Sequence, residues 1–119
     1  MKKFYFLSSC STCKRILNHL ALDSSFELQD IKKKPISAED LEQLKALAGS
    51  YEALFSKHAK LYKQLGLKDK PLKEEDYRDY ILEHYTFLKR PVLVMGSQVF
   101  IGNSSKVINS AFTALLNEK

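Results

Sequence analysis

Two cysteines stand in this chain, and both fall in one run, Cys10-Ser11-Thr12-Cys13-Lys14-Arg15. The run follows an apolar stretch and opens a predicted helix. Unpaired N–H groups and the partial positive charge of a helix start favour thiolate over thiol. Lys14 and Arg15 add full positive charges one turn away. Thiols in such a place are suited to redox or thiol-transfer chemistry. The same spacing is half of a zinc site, but His19, His58 and His84 show no paired spacing that would complete it, so no metal is expected. Two further readings stay open: Cys13 as a plain core residue, and a binding module with idle thiols.

The elements that must hold this run can be read on either side of it. Phe4-Tyr5-Phe6 makes Lys3–Leu7 a short buried strand. Cys13, Ile16, Leu17, Leu20 and Ala21 then recur at helical spacing, predicting a helix that ends near Leu22. Cys13 lies on that apolar stripe and Cys10 precedes it, so one thiol should be covered and the other presented at the helix tip. After the turn at Asp23-Ser24-Ser25, Phe26–Ile31 reads as a second strand. Strand, helix and strand with short links form a βαβ unit with parallel strands.

The middle of the chain reads as helical. Ser37 is placed to cap a helix, Asp40 sits at its third position, Ile36 can staple onto Leu41, and Gly49 stops it. A second helical piece is expected over Glu52–Leu65, closing at Gly66, and a third over Lys73–His84 after Pro71. Tyr77, Tyr80 and Phe87 are expected to pack against the sheet, and the three histidines to take surface or edge roles. The chain returns to β at Pro91–Met95 and Gln98–Ile101, a hairpin turning at Gly96-Ser97. Asn103 or Ser104 can cap a last helix with a stripe of Val107, Ile108, Ala111, Phe112 and Leu115. The order β-α-β, helices, β-β-α predicts one α/β domain over residues 1–119, with a helical insertion at about 37–88 packed on one side of the sheet.

Composition sets limits. Hydrophobic residues make up 45% and charged residues 28% of the 119, as in an ordinary globular protein. No apolar run approaches the ~18–20 residues that span a bilayer. The apolar part of the N-terminus is too short for an export signal, so the cytoplasm is the expected compartment, and close cysteines there serve catalysis or redox sensing more often than stapling. The net charge of +5 could attract nucleic acid or an acidic surface. The basic residues, including Lys32-Lys33-Lys34, lack interleaved aromatics, so a solvated face is expected and direct nucleic-acid binding is not.

The C-x-x-C after the first strand, the strand entry Leu88-Lys89-Arg90-Pro91-Val92-Leu93-Val94 and the insertion segment Leu61-Tyr62-Lys63-Gln64-Leu65-Gly66-Leu67 give a fuller pattern. Over essentially its whole length the chain resembles the arsenate reductase family of glutaredoxin-dependent type and its relatives, the Spx regulators. The resemblance implies a thioredoxin-like fold with a mixed four-stranded sheet. Cys10 matches the family's nucleophile, and Cys13 the second cysteine of many Spx-like members. Lys14 stands at a usually basic position, Arg90 at the arginine before the proline, and Pro91 should be cis and face the cysteine loop. Ser11 and Thr12 offer small side chains and N–H groups to an incoming acceptor.

Of three arginines that hold arsenate in such reductases, only Arg90 is present. The other two positions align with Ser56, beside Lys57, and near Gly102. Divalent tetrahedral oxyanions need several charge-assisted hydrogen bonds, so weak or no arsenate reduction is expected. The implied function is a thiol–disulfide oxidoreductase in which Cys10 attacks and Cys13 resolves. It would hold no cofactor, with glutathione, glutaredoxin or thioredoxin as reductant. The alternative is a Spx-like redox switch whose partner is RNA polymerase. The glycine by which those regulators grip polymerase lies near Gly49, one residue out of register.

Overall fold

In a computed structural model that describes residues 1–118, the chain divides into two compact units. Among the described residues, one is built from residues 1–34 and 90–118, the other from 35–89.

The first unit carries the sheet. Its strands are β1 (Lys2–Phe6), β2 (Glu27–Asp30), β3 (Val92–Met95) and β4 (Gln98–Ile101), in the order β2-β1-β3-β4. β1 pairs parallel with β2, Phe6 opposite Asp30, and antiparallel with β3, Tyr5 opposite Val92. β3 and β4 form the hairpin, with Val92 opposite Ile101. This is the mixed four-stranded α/β sheet expected of a thioredoxin-like fold. β3 is central and buried at all four positions, which is why it reads as unbroken Val-Leu-Val-Met, whereas β2 lies at an edge.

Helices α1 (Ser11–Leu20) and α5 (Ser105–Glu118) belong to the same unit. Phe4, Leu93 and Met95 from the sheet, Ile16 and Leu20 from α1, and Ala111 from α5 form one buried cluster, with Ile108, Phe112 and Leu115 packed against it. Removing such side chains from water stabilises the fold by about 1.5–3 kcal/mol each. α1 ends two residues earlier than expected. Ala21 turns left-handed (φ 49°) and its N–H bonds the Leu17 carbonyl. Asp23 then closes the turn by accepting from the Ser25 N–H. Ser104, of the two residues that could cap α5, accepts from the Val107 N–H.

The second unit holds α2 (Ala38–Ala48), α3 (Lys60–Gln64) and α4 (Glu74–Glu83). Ser37 caps α2 through the Asp40 N–H, and Gly49 ends it at φ 98°, where glycine carries no Cβ penalty. The single helix expected over 52–65 is broken. A 3-10 turn spans Glu52–Leu54, Phe55 is extended and bridges Leu88, and α3 begins only at Lys60. Ser56 donates to the Phe87 carbonyl, and Lys89 to that of Leu54. Tertiary burial overrides helix propensity here. Phe55 is 1% exposed and its ring meets Tyr62, Tyr77, Tyr80 and Phe87 at 4.9–6.5 Å between centroids. The rings of Tyr77, Tyr80 and Phe87 thus gather on Phe55. Glu74 locks the turn by accepting from the N–H groups of Tyr51 and Glu52. Among the described residues, no helix is long and apolar enough to cross a membrane.

Candidate functional site

Cys10 is the N-cap of α1. The backbone sets it there: its N–H closes a turn onto the Leu7 carbonyl (3.0 Å), and its own carbonyl accepts the first helical bond, from Lys14 (3.1 Å). Cys10 is therefore half-exposed at the tip, while Cys13, one turn on, is 1% exposed. Both are free thiols.

This placement separates their acidities. Partial burial resists ionisation of Cys10, but hydrogen bonds from the Cys13 N–H, the Cys13 thiol and the Thr12 N–H, together with the Arg90 charge, outweigh it. The Cys10 thiol is held below its ordinary value. Burial dominates at Cys13 and pushes its thiol up to about 11, with the bond it gives to Cys10 and the Cys10 charge acting in the same direction. A hydrogen bond from the Leu7 backbone and the Arg90 charge oppose that rise without cancelling it. The arrangement sets a thiol inclined to ionise beside one that burial keeps protonated.

Arg90 immediately precedes Pro91, and the peptide bond between them is cis. The Pro91 carbonyl accepts from the Gly102 N–H (2.9 Å), tying the entrance of β3 to the end of β4. The Arg90 guanidinium acts on both thiols, and among the described residues its buried Nε has no hydrogen-bond partner. Thr12 is half-buried and supplies its N–H to Cys10, while Ser11 and Lys14 are exposed on the first turn of α1.

Two residues here escaped the sequence reading. The Ser8 hydroxyl, two positions before Cys10, donates to the Asp30 carboxylate at the end of β2. Asp30 also accepts from the Lys32 N–H, and these bonds, that of Ser8 foremost, hold its carboxyl below the usual range. The signal was faint: a serine after one strand and an aspartate ending its parallel neighbour.

The aligned arginine positions have other occupations. Lys57, in the second unit, is ion-paired with Glu52 at 2.8 Å. Gly102 sits at φ 94°, a conformation that strains any residue with a side chain. His84 accepts from the Thr86 N–H, and His19 stacks on Phe112. Among the described residues, no three His, Cys, Asp or Glu side chains cluster as a metal-binding group.

A thioredoxin-like sheet with a C-x-x-C at the start of its first helix and a cis-proline opening its third strand defines a class of thiol-bearing α/β proteins. Within that class the chain belongs to the ArsC family, whose model matches residues 5–111. A protein of Streptococcus mutans, described as a possible arsenate reductase, is 30% identical, with 88% of this chain and 92% of that one covered and a TM-score of 0.69. The arsenate reductase of Vibrio cholerae shares the fold at TM-score 0.75 and 20% identity, over 94% of this chain and 95% of its own. An arsenate reductase-related protein of Brucella melitensis does so at 0.69 and 21%, over 93% of each. No curated protein matches the chain.

Proposed function

We propose that the protein is a cytoplasmic thiol–disulfide oxidoreductase, weak or inactive on arsenate, with Cys10 as nucleophile and Cys13 as resolving thiol. The observation that carries this reading is the placement of two free thiols at one helix start, Cys10 half-exposed as its N-cap and Cys13 buried one turn on. In the first step the Cys10 thiolate attacks one sulfur of a substrate disulfide. That bond breaks, one half leaves as a thiolate and takes a proton, and a mixed disulfide with Cys10 remains. Cys13 then gives up its proton and attacks Cys10 Sγ, releasing the second half as a thiol. The substrate has gained two electrons, and the protein holds a Cys10–Cys13 disulfide. Glutathione, or the dithiol of a glutaredoxin or thioredoxin, returns those electrons.

Poor arsenate turnover follows from charge. Arg90 alone carries over, Lys57 is engaged by Glu52, and Gly102 occupies a conformation unfavourable to a side chain. Single-turnover reaction of the pre-reduced protein with 2-hydroxyethyl disulfide, with no glutathione or glutaredoxin added, tests the reading. Release of 2-mercaptoethanol should vanish in Cys10→Ser and stop at a Cys10 mixed disulfide in Cys13→Ser, and arsenate in place of the disulfide should give little oxidation of the pair. Full activity in Cys10→Ser, or arsenate turnover matching that of the disulfide, would contradict it. Cys13 beside Cys10 also suits a Spx-like switch, and specific retention on RNA polymerase would favour that reading over the enzyme.

A further inference from the structure

The first unit has its charges sorted to its two ends. It contains four acidic residues, Asp23, Glu27, Asp30 and Glu118. Glu27 opens β2 and pairs with Lys3, while Glu118 closes α5 and pairs with Lys2, both at 3.2 Å. Asp23 lies in the turn that leads into β2. All three stand at the end of the sheet where β1 begins.

The other end, where β1 and β2 finish and β3 starts, carries Cys10. Lys14 and Arg15 project from the start of α1, and Lys106 from the start of α5, all exposed. Arg90 stands at the entrance of β3. Lys32, Lys33 and Lys34 follow β2 directly and are exposed, and none of their ammonium groups forms an ion pair among the described residues. The one acid at this end, Asp30, is already engaged by Ser8 and the Lys32 N–H.

The Asp30 bonds also hold the lysine turn against the cysteine loop. Its carboxylate takes the Ser8 hydroxyl from one loop, and its carbonyl takes the N–H groups of Lys33 and Lys34 from the other. Since Phe6 and Asp30 are register partners on adjacent strands, the two loops leave the sheet side by side. The lysine turn therefore stands beside the cysteine loop on a fixed frame.

We propose that this end of the first unit is a docking surface for an acidic face of a protein that exchanges disulfides with Cys10. The proposal rests on the thiol-exchange reading above and adds the chemistry of the partner. Seven cations, six of them exposed and Arg90 half-buried, stand after β2, before β3 and at the starts of two helices, a broad field suited to steering a large acidic face rather than to enclosing a small thiol. Steering of this kind raises association rates by about 10–1000-fold and fades as salt rises.

Two twelve-residue peptides make the test. Each carries one cysteine as a mixed disulfide with thionitrobenzoate, flanked by glutamates in one and by lysines in the other. Attack by the Cys10 thiolate on the peptide sulfur releases coloured thionitrobenzoate and leaves a Cys10–peptide disulfide, which Cys13 then opens. At low salt the glutamate peptide should react at least about tenfold faster than the lysine peptide, and the ratio should fall below about threefold in 0.5 M NaCl. The variant Lys32→Gln/Lys33→Gln/Lys34→Gln should lower the low-salt ratio about threefold. Should that variant fail to fold, Lys14→Gln and Lys106→Gln each should lower the ratio by a smaller factor.

Equal rates for the two peptides, or an unaltered ratio in the lysine variants, would overturn the proposal. So would peptides without preference alongside tight, lysine-dependent binding of a fluorescent DNA duplex, which would assign the surface to nucleic acid. Neutral 4,4′-dithiodipyridine checks Cys10 reactivity separately. If Cys10 proves inert, anisotropy with fluorescent cysteine-free versions of both peptides still measures the docking preference.

Discussion

The Cys10 thiol accepts hydrogen bonds from both the N–H and the thiol of Cys13, so the residue that would resolve a mixed disulfide first stabilises the attacking thiolate. Burial keeps that donor protonated. The two cysteines thus differ in readiness because one caps α1 and the other lies a turn inside its apolar face. That difference is a property of the helix start.

Arg90 favours the thiolate by charge alone, behind the hydrogen bonds of Cys13 and Thr12. Arg90→Met should therefore slow carbamidomethylation of Cys10 at pH 7 by about two- to fivefold and move its pH–rate inflection upward. The full profile with iodoacetamide measures both. An unmoved inflection would remove Arg90 from the site.

The raised pKa of the Cys13 thiol makes stability depend on pH in a defined window. Below pH 9 the thiol is protonated in both the folded and the unfolded chain, and no stability is lost. Between pH 9 and about 11 the unfolded chain gives up its proton while the folded one keeps it, so stability falls as pH rises. Two units correspond to roughly 2–3 kcal/mol. Urea midpoints at pH 8 and 10.5 should show a steeper loss in the parent than in Cys13→Ala.

Phe55 is the hub of the ring cluster in the second unit. Phe55→Ala should cost about 3–5 kcal/mol, as large cavities in aromatic cores do. Chemical denaturation gives the value. A loss under 1 kcal/mol would mean that the rings gathered on Phe55 do not hold this segment.

Ser37→Ala removes a cap that accepts from the Asp40 N–H at 3.1 Å. A loss of about 1 kcal/mol is expected, lowering the thermal midpoint by roughly 3–6 °C. Ser37→Asp should retain most of the stability.

How much of this could be read from the chain depended on whether the signal was local. The cap at Ser37, the stop at Gly49 and the covered place of Cys13 came from spacing within one helix, and they stand where expected. The cis bond at Pro91 came from family resemblance, since nothing in the dipeptide requires it. The break after Glu52 was hidden because Ala53, Leu54, Lys60 and Leu61 all suit a helix. The burial of Phe55 among distant rings and its pairing with Leu88, 33 positions on, override them. The Ser8–Asp30 bond was hidden for the same reason, joining residues 22 apart through a parallel pairing. The charge separation of the first unit needed the strand directions before it could be seen at all.

The central claim is that Cys10 and Cys13 form a working redox pair. Mass-resolved alkylation of both thiols across a glutathione redox titration tests it most directly. The account predicts fast alkylation of Cys10 at neutral pH, slow alkylation of Cys13, and closure of the pair to a disulfide at potentials found in the cytoplasm. Two thiols that react equally slowly, with no Cys10–Cys13 disulfide at any potential, would contradict it.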